Sequence, residues 1–322
     1  MNAIIVTTCT NRKRYKPNPK LCVGNLPRGG QTHVANVWLR NISRDIELIP
    51  AETLYCGRGF VEAIQASRQI NAELWIISAG MGLVHGKDMI PSYNLTTSNT
   101  SDNVKKKITG VFDYGCWWSS MNIKRKRSLA GLITGNPKYT VFIILNQSYT
   151  RLVLEDLRRL SEKHIARLRL FGLTKTEILP EKLQRACMPY DSRLGDLISG
   201  IPGTMSDLGQ RAVRHFVANI WPDMQSSGVQ EHADAVRSCL DAMESPRIPV
   251  RKKMSDDLIR EVMLMNWDRA QGSASKMLRI LRDDEKIACQ QKRCKVLFHS
   301  LEEEVMHVAF SREVSHTQSA KK

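Results

Sequence analysis

The chain has 322 residues, 42% of them hydrophobic, so it can bury a full apolar core and divide into more than one domain. Its formal net charge of +16 favours nucleic acid or another anionic surface as a partner. The longest apolar runs are strand-length, far below the ~20 residues that a membrane helix needs. No positively charged segment followed by a long apolar one opens the chain, so we expect a cytoplasmic protein without a membrane partner.

The eight cysteines are scattered along the chain. None forms a C-x-x-C pair, and no histidine lies at ligand spacing from a cysteine pair. This pattern disfavours a structural zinc site and favours a reducing compartment. We therefore expect neither a metal nor another cofactor.

A first buried strand is predicted at residues 3–6 from their apolar run. The small polar side chains that follow it can line a pocket: Thr8, Cys9 and Thr10. A basic cluster comes next, formed by Arg12, Lys13 and Arg14. Such a cluster can hold a phosphate, and a solvated basic loop without a partner is the alternative.

A second buried strand is predicted at residues 74–77, after a helical pattern marked by Phe60, Ile64 and Ile70. The loop after this strand is broken by glycines and carries polar residues, among them Ser78, Gly80, Asp88, Tyr93 and Asn94. A buried strand that ends in a loop of this kind is how open α/β sheets build ligand crevices. A plain surface turn is the alternative.

A third buried strand is predicted at residues 140–145, followed by Asn146 and Gln147. Three apolar strands separated by helical stretches predict an α/β fold with a parallel sheet. Because the carboxyl ends of parallel strands meet at one edge, the polar residues after the three strands are expected to line one crevice. A second basic run precedes the third strand and comprises Lys124, Arg125, Lys126 and Arg127.

The rest of the chain predicts helices. Residues 151–171 read as an amphipathic helix with a basic face, and a Gly/Pro turn at 200–209 opens a helix that carries Arg211 and Arg214. We expect an α/β domain over 1–220 and a linker over 221–253. A small all-α domain over 254–305, either helix-turn-helix-like or merely packed, then precedes a tail over 306–322.

Several short motifs follow one another in a fixed order: Thr8-Cys9 before basic residues, Leu54-Tyr55, Ser78-Ala79, Gly82-Leu83, Pro91-x-Tyr93, Tyr149, Gly203 and Gly209-Gln210-Arg211. In this order they resemble an uncharacterised bacterial domain related to the YaaA-like proteins. The resemblance covers residues 1–218 and implies a uracil-DNA-glycosylase-like fold, and the C-terminal helices resemble the segment that often follows this domain. The pattern is also similar to that of an antiphage DNA glycosylase acting on glucosylated hydroxymethylcytosine.

Two positions depart from the family pattern. Met81 stands where the family usually has lysine, and Asn94 stands where an aspartate usually follows the Pro-x-Tyr motif. An amide does not accept a proton at neutral pH, so Asn94 cannot be a catalytic base. It can still read a base edge or orient a water molecule. The departures imply either an altered substrate choice or loss of the family activity.

The leading hypothesis is a DNA glycosylase that flips a modified base out of DNA, phage DNA being the expected source, and excises it by N-glycosidic hydrolysis. Asp88 is the first candidate for the catalytic carboxylate, and Glu52 and Asp207 are the alternative carboxylates. Asn146 is predicted as a second catalytic residue. The expected base pocket comprises Thr8, Cys9, Thr10, Tyr55, Ser78, Gly80, Tyr93, Asn94 and Gln147. The expected DNA contacts are Arg12, Lys13, Arg14, Lys124, Arg125, Lys126, Arg127, Arg211 and Arg214.

Other functions stay open. A non-catalytic DNA-binding or stress-response protein would bind DNA with a steep salt dependence but release no base. An enzyme that acts on free modified bases or nucleosides would use the crevice but not the positive charge. Cys9 is either a nucleophile activated by neighbouring cations or a small thiol that lines the pocket.

Overall fold

The computed structural model describes residues 2–45, 47–196, 198–245 and 249–304. The chain divides into two compact units, one up to residue 246 and the other from residue 247. Each unit has its own cluster of buried apolar side chains.

The first unit contains seven described strands and eleven described α-helices, besides short 3-10 turns. The strands are β1 (Ala3–Thr8), β2 (Leu48–Pro50), β3 (Glu73–Ser78), β4 (Gly82–His85), β5 (Met89–Pro91), β6 (Thr140–Ile144) and β7 (Leu168–Phe171). The helices are α1 (Gln31–Ile42), α2 (Ala51–Leu54), α3 (Arg58–Gln69), α4 (Tyr114–Asn122), α5 (Leu129–Gly135), α6 (Gln147–Arg158), α7 (Glu162–Ile165), α8 (Glu181–Gln184), α9 (Leu208–Asn219), α10 (Trp221–Met224) and α11 (Val229–Asp241).

A five-stranded sheet with the order β4-β3-β1-β6-β7 lies at the centre of this unit. The strands β3, β1, β6 and β7 are parallel, and β4 runs antiparallel at one edge. The central strand β1 is buried along its whole length, as its unbroken apolar run requires. The prediction of an α/β fold is confirmed. The sheet was predicted to be parallel and is mostly so, because β4 alone pairs antiparallel within it.

The chain adds strands on both sides of β1. It passes from β1 to β3 on one side and then crosses to β6 on the other. The segments that leave the carboxyl ends of β1 and β6 therefore separate and open a crevice, which is where open α/β sheets bind ligands.

Strand β7 lies where the sequence predicted the end of one long helix over residues 151–171. The helix α6 ends at Arg158, and the leucines at 168 and 170 alternate with Arg169 in the two-residue period of a strand. Arg169 is buried and its guanidinium donates to His232 Nδ1 at 2.8 Å and to three backbone carbonyls. Burial of the arginine is tolerated because these acceptors replace water.

Residues 221–241, which were predicted as part of a linker, belong instead to the first unit. They form α10 and α11, and Trp221, Val236 and Leu240 are buried in its core. The Ser/Gly stretch that indicated a linker is the turn between these two helices, and Gly228 is the N-cap of α11.

The described part of the second unit, residues 249–304, contains helices and no β-strand. Its helices are α12 (Asp256–Met265), α13 (Trp267–Ala270), α14 (Ala274–Arg279), a π-helical turn (Ile280–Asp284) and helical residues 291–304. Its core includes Ile259, Met263, Met277 and Phe298. The predicted tail, 306–322, lies outside the described residues. Within the described ranges, no helix has the length and apolar character to cross a membrane.

Candidate functional site

A cavity of about 460 Å³ lies between the ends of β1 and β6, at the point where the strand order reverses. Pockets of this volume hold small-molecule ligands and cofactors. The lining residues come from the ends of β1 and β6, the start of α3 and the start of α9: Thr8, Cys9, Thr10, Arg12, Gly57, Arg58, Gly59, Phe60, Asn146, Thr204, Ser206, Asp207 and Gln210. We call it the switch-point cavity.

The start of α3 forms one wall of this cavity and comes close to β1 and α9. A Cβ atom on Gly57, the N-cap of α3, would lie 2.6 Å from Thr10 Oγ1. A Cβ atom on Gly59 would lie 3.2 Å from the Asp207 Cβ. The two glycines therefore permit a close backbone approach that places the first turn of a twelve-residue helix at the cavity. Backbone N–H groups at such a helix start favour an anion.

Asp207 is the one carboxylate that lines the switch-point cavity within the described part of the chain. Its Oδ1 accepts from the Thr204 backbone N–H at 2.8 Å and from Arg211 Nε at 2.9 Å. Its side chain keeps 11% exposure, and Oδ2 lies 3.7 Å from Arg58 Nε. One oxygen is thus fixed by the protein while the other faces a cation at the cavity.

Two arginines supply positive charge at the cavity. Arg12 follows β1 and is exposed, and the Arg58 side chain is 56% exposed. Arg211 has a different role, because its side chain is only 2% exposed and its guanidinium donates to Asp207 and to the carbonyls of Ile201 and Thr204. The structure therefore assigns Arg211 to holding Asp207 in place and not to contacting a DNA phosphate.

Asn146 lies where β6 ends and is the N-cap of α6. Its Oδ1 accepts from the backbone N–H groups of Ser148 and Tyr149, each at 3.1 Å. The exposed side chain lines both the switch-point cavity and a neighbouring cavity of about 340 Å³, which Gln147 and Lys175 also line. On the opposite wall Gln210 Nε2 donates to Thr8 Oγ1 at 3.5 Å. The cavity is thus lined by amide and hydroxyl groups that can read a base edge.

A buried polar network lies beneath the edge of the sheet. Tyr93 OH shares hydrogen bonds with Tyr55 OH at 2.7 Å and with Ser78 Oγ at 2.6 Å, and Cys9 Sγ shares one with Tyr149 OH at 3.0 Å. Burial, with Cys9 as a second cause, raises the pKa of each of the three tyrosines above its ordinary value, so their hydroxyls stay protonated.

This network occupies much of the predicted base pocket. Tyr55 and Ser78 are almost fully buried, and both hydrogen-bond to the Tyr93 hydroxyl. They therefore do not present a face to a ligand. Gly80 lies behind the network, where a Cβ atom would meet the Tyr93 ring at 2.8 Å. Of the predicted pocket residues, only Thr8, Cys9 and Thr10 reach the switch-point cavity.

Lys13 covers the tyrosine network. Its Nζ lies 4.2 Å from the centroid of the Tyr93 ring and donates to the Thr10 carbonyl at 3.3 Å. Burial lowers the pKa of Lys13, although the nearby Cys9 and Asp102 act in the opposite direction. Lys13 lines a further cavity of about 310 Å³ together with Tyr93 and Asn94. We call this one the second cavity.

Asp88 lines neither the switch-point cavity nor the second cavity. The antiparallel pairing places His85 opposite Trp75, so the turn that carries Asp88 is near the amino end of β3, whereas the switch-point cavity is beyond the carboxyl end of β1. The Asp88 carboxylate accepts from Arg127 and from the His85 backbone N–H. Partial burial acts to raise the pKa of Asp88, but these contacts and Arg125 hold it below its ordinary value.

The remaining predicted residues lie apart from the switch-point cavity. Glu52 donates its backbone N–H to Gly86, in the turn before Asp88. The 124–127 run follows α4, where Lys124 and Lys126 are exposed while Arg125 donates to the Met81 carbonyl. Arg14 lines the second cavity with Lys13, and Arg214 donates to Gln69.

Sequence reasoning missed seven residues that line the cavity: Gly57, Arg58, Gly59, Phe60, Thr204, Ser206 and Gln210. The signal present in the chain was the Gly-x-Gly turn at 57–59 immediately before a helical pattern. The contribution of 204–210 depends on α9 packing against α3, which joins segments far apart in sequence.

Among the described residues, no group of three or more His, Cys, Asp or Glu side chains is arranged to hold a metal ion. Comparison with protein-family models, with curated proteins and with solved structures found no match to this chain.

Proposed function

We propose that the protein is a DNA glycosylase with a uracil-DNA-glycosylase-like fold, which flips a modified nucleotide out of DNA and hydrolyses its N-glycosidic bond in the switch-point cavity. One observation carries the proposal: a cavity of nucleotide size at the strand reversal holds a fixed carboxylate, Asp207, opposite the cations Arg12 and Arg58. The doubly wound order of the four parallel strands supports it.

The chemistry needs a negative charge beside the sugar. As the bond between C1′ and the base nitrogen breaks, its electron pair leaves with the base and positive charge develops on the sugar. Water then supplies the oxygen that joins C1′, and the proton that this water loses neutralises the departed base. The carboxylate of Asp207 stabilises that charge and orients the water, and Arg211 keeps the carboxylate from turning away. This assignment moves the proposed catalytic carboxylate from Asp88 to Asp207.

Recognition of the nucleotide uses the other walls of the cavity. Arg58 and the first N–H groups of α3 bind the flanking phosphate, and Arg12 adds charge at the mouth. Asn146, Gln210 and Thr8 are placed to hydrogen-bond the base edge. Flipping costs a few kcal/mol, which is least for a modified or mispaired base, so this cost itself favours such targets.

The test is base release from DNA followed by mass spectrometry, with unmodified and phage-modified DNA as substrates. Asp207→Asn keeps an oxygen that can accept from Thr204 and Arg211 but removes the negative charge, so base release is expected to fall by at least ~100-fold. Asp88→Asn is the matched control, because it makes the same chemical change outside both cavities, and release is expected to continue.

Three results would contradict the proposal. Release that survives in Asp207→Asn but is lost in Asp88→Asn would place the chemistry at the other carboxylate. Equal turnover of free modified nucleosides would make the protein a nucleoside-processing enzyme. Tight, salt-dependent DNA binding without any released base would make it a non-catalytic DNA-binding protein.

A further inference from the structure

The second cavity lies on the other side of the segment that follows β1. Along this segment Thr10 and Arg12 line the switch-point cavity, whereas Asn11 and Lys13 line the second cavity. The two cavities are therefore separated by one chain segment, residues 10–13. The second cavity is lined by Asn11, Lys13, Arg14, Tyr15, Lys16, Pro17, Tyr93, Asn94 and Asp102.

Tyr15 presents an open aromatic ring at this cavity. Its residue is 53% exposed, and no other described Phe, Tyr or Trp is as exposed. A singly exposed tyrosine is ordinary on a protein surface, but this ring stands in a cavity wall beside cations, where a ligand can cover it. The ring lies between the cations Arg14 and Lys16 in sequence, and all three line the cavity.

The backbone under this ring is held firmly. The Tyr15 carbonyl accepts from Ser92 Oγ at 2.6 Å. The Arg14 backbone N–H donates to the Leu54 carbonyl and its Nε donates to the Thr53 carbonyl, each at 3.0 Å. A ring on an anchored backbone loses little conformational entropy when a ligand stacks on it, which favours binding.

An exposed aromatic ring flanked by cations is the arrangement that binds unpaired nucleotides, because the ring stacks on a base while the cations contact the phosphates. Consecutive nucleotides of one strand are joined by a single phosphate. Two cavities separated by one chain segment can hold two such neighbours, since Arg12 lines one cavity and Lys13 lines the other.

We propose that the second cavity is a subsite for the nucleotide next to the target, whose base stacks on Tyr15 and whose phosphate contacts Arg14 and Lys16. The inference rests on the proposed function, since the target nucleotide in the switch-point cavity defines the neighbour. It specifies the substrate as a strand that is unpaired over at least two nucleotides at the site.

The test is fluorescence anisotropy of the full chain with a 5′-fluorescein-labelled single-stranded hexadeoxynucleotide and with a labelled mononucleotide. Tyr15→Ala is expected to bind the hexamer about 5-fold to 150-fold more weakly, the range for losing one base–aromatic stack. Tyr15→Phe keeps the ring and should bind like the parent chain. Binding of the mononucleotide should not change in either variant.

Two further hexamers, each with an abasic residue on one side of the target, locate the neighbour. One of them should bind weakly to the parent chain and lose nothing more in Tyr15→Ala, because the stacking partner is already absent. Unchanged hexamer binding in Tyr15→Ala, or equal loss of hexamer and mononucleotide binding, would overturn the subsite. Base release measured separately would still report on the glycosylase, so failure of the subsite can be told apart from failure of the proposed function.

Discussion

A single glycine sets how closely α3 approaches the end of β1. Gly57 and Gly30 are both N-caps of twelve-residue helices with extended backbone angles, but only Gly57 has Thr10 within reach of an added Cβ. Gly57→Ala is therefore expected to destabilise the protein by ~1–3 kcal/mol through overpacking and to distort the cavity wall. The Cβ atom that Gly30→Ala adds would have no neighbour within 4 Å. Alanine also lowers the conformational entropy of the unfolded chain, and this stabilising effect offsets any loss of stability at the helix cap.

Urea unfolding and nucleotide affinity of both variants check this expectation. The steric account requires Gly57→Ala to lose stability and affinity relative to Gly30→Ala. If the two variants behave alike, the helix cap and not the contact with Thr10 controls the result.

The sequence predicted which residue types meet at the sheet edge but not which carboxylate lies among them. Thr8, Cys9, Thr10 and Asn146 come directly after predicted strands, so parallel pairing alone brings them to one edge. The position of Asp88 depended on β4 turning back antiparallel along β3, which a loop rich in glycine did not indicate. Asp207 reaches the cavity only through the packing of α9 on α3.

At the scale of elements, α11 is joined to β7 by a buried contact that depends on pH. His232 Nδ1 accepts from Arg169 Nε, and Nε2 donates to the Met224 carbonyl at 2.8 Å, so the imidazole must be neutral. Burial and then Arg169 hold the pKa of His232 below its ordinary value. As pH falls below about 6.5 the unfolded chain binds a proton first, so the native state loses stability.

The loss has a defined limit and a control. One such histidine contributes up to about 1.4 kcal/mol per pH unit until pH reaches its folded-state pKa. Urea unfolding at pH 7.5 and at pH 5.5 should show a smaller drop in His232→Gln than in the parent chain. Part of the drop should persist, since burial also lowers the pKa of His215. An equal drop in both proteins would assign the effect to other groups.

The elements that sequence reasoning misassigned share one physical cause. In residues 168–171 the alternation of Leu and Arg fits a strand, but a buried arginine looks like an exposed helix face until its acceptors are known. The Ser/Gly stretch at 226–228 looks like a linker until the apolar faces of α10 and α11 are seen to pack on the core. Local pattern is overridden here by tertiary contacts.

At the scale of the whole molecule, the separate cores of the two units predict separate folding. A chain that ends at Ser245 keeps the entire first cluster of buried residues and both cavities. It is expected to unfold in one cooperative transition and to retain both base release and the dependence of hexamer binding on Tyr15. Circular dichroism during urea unfolding and the two assays check this. A shortened chain that folds but releases no base would place part of the activity in the second unit.

The segment after β1 has a consequence for how this protein can change. Successive residues from 10 to 13 line the two cavities in alternation, so one chain segment forms a wall of both. Replacing one of these side chains alters one cavity only. Inserting or deleting a single residue just before Arg12 would place Arg12 at a position that lines the second cavity, so both cavities would be altered at once. During evolution this stretch should therefore tolerate substitutions more readily than insertions or deletions. Gaps should be rarer here than in the loops around it.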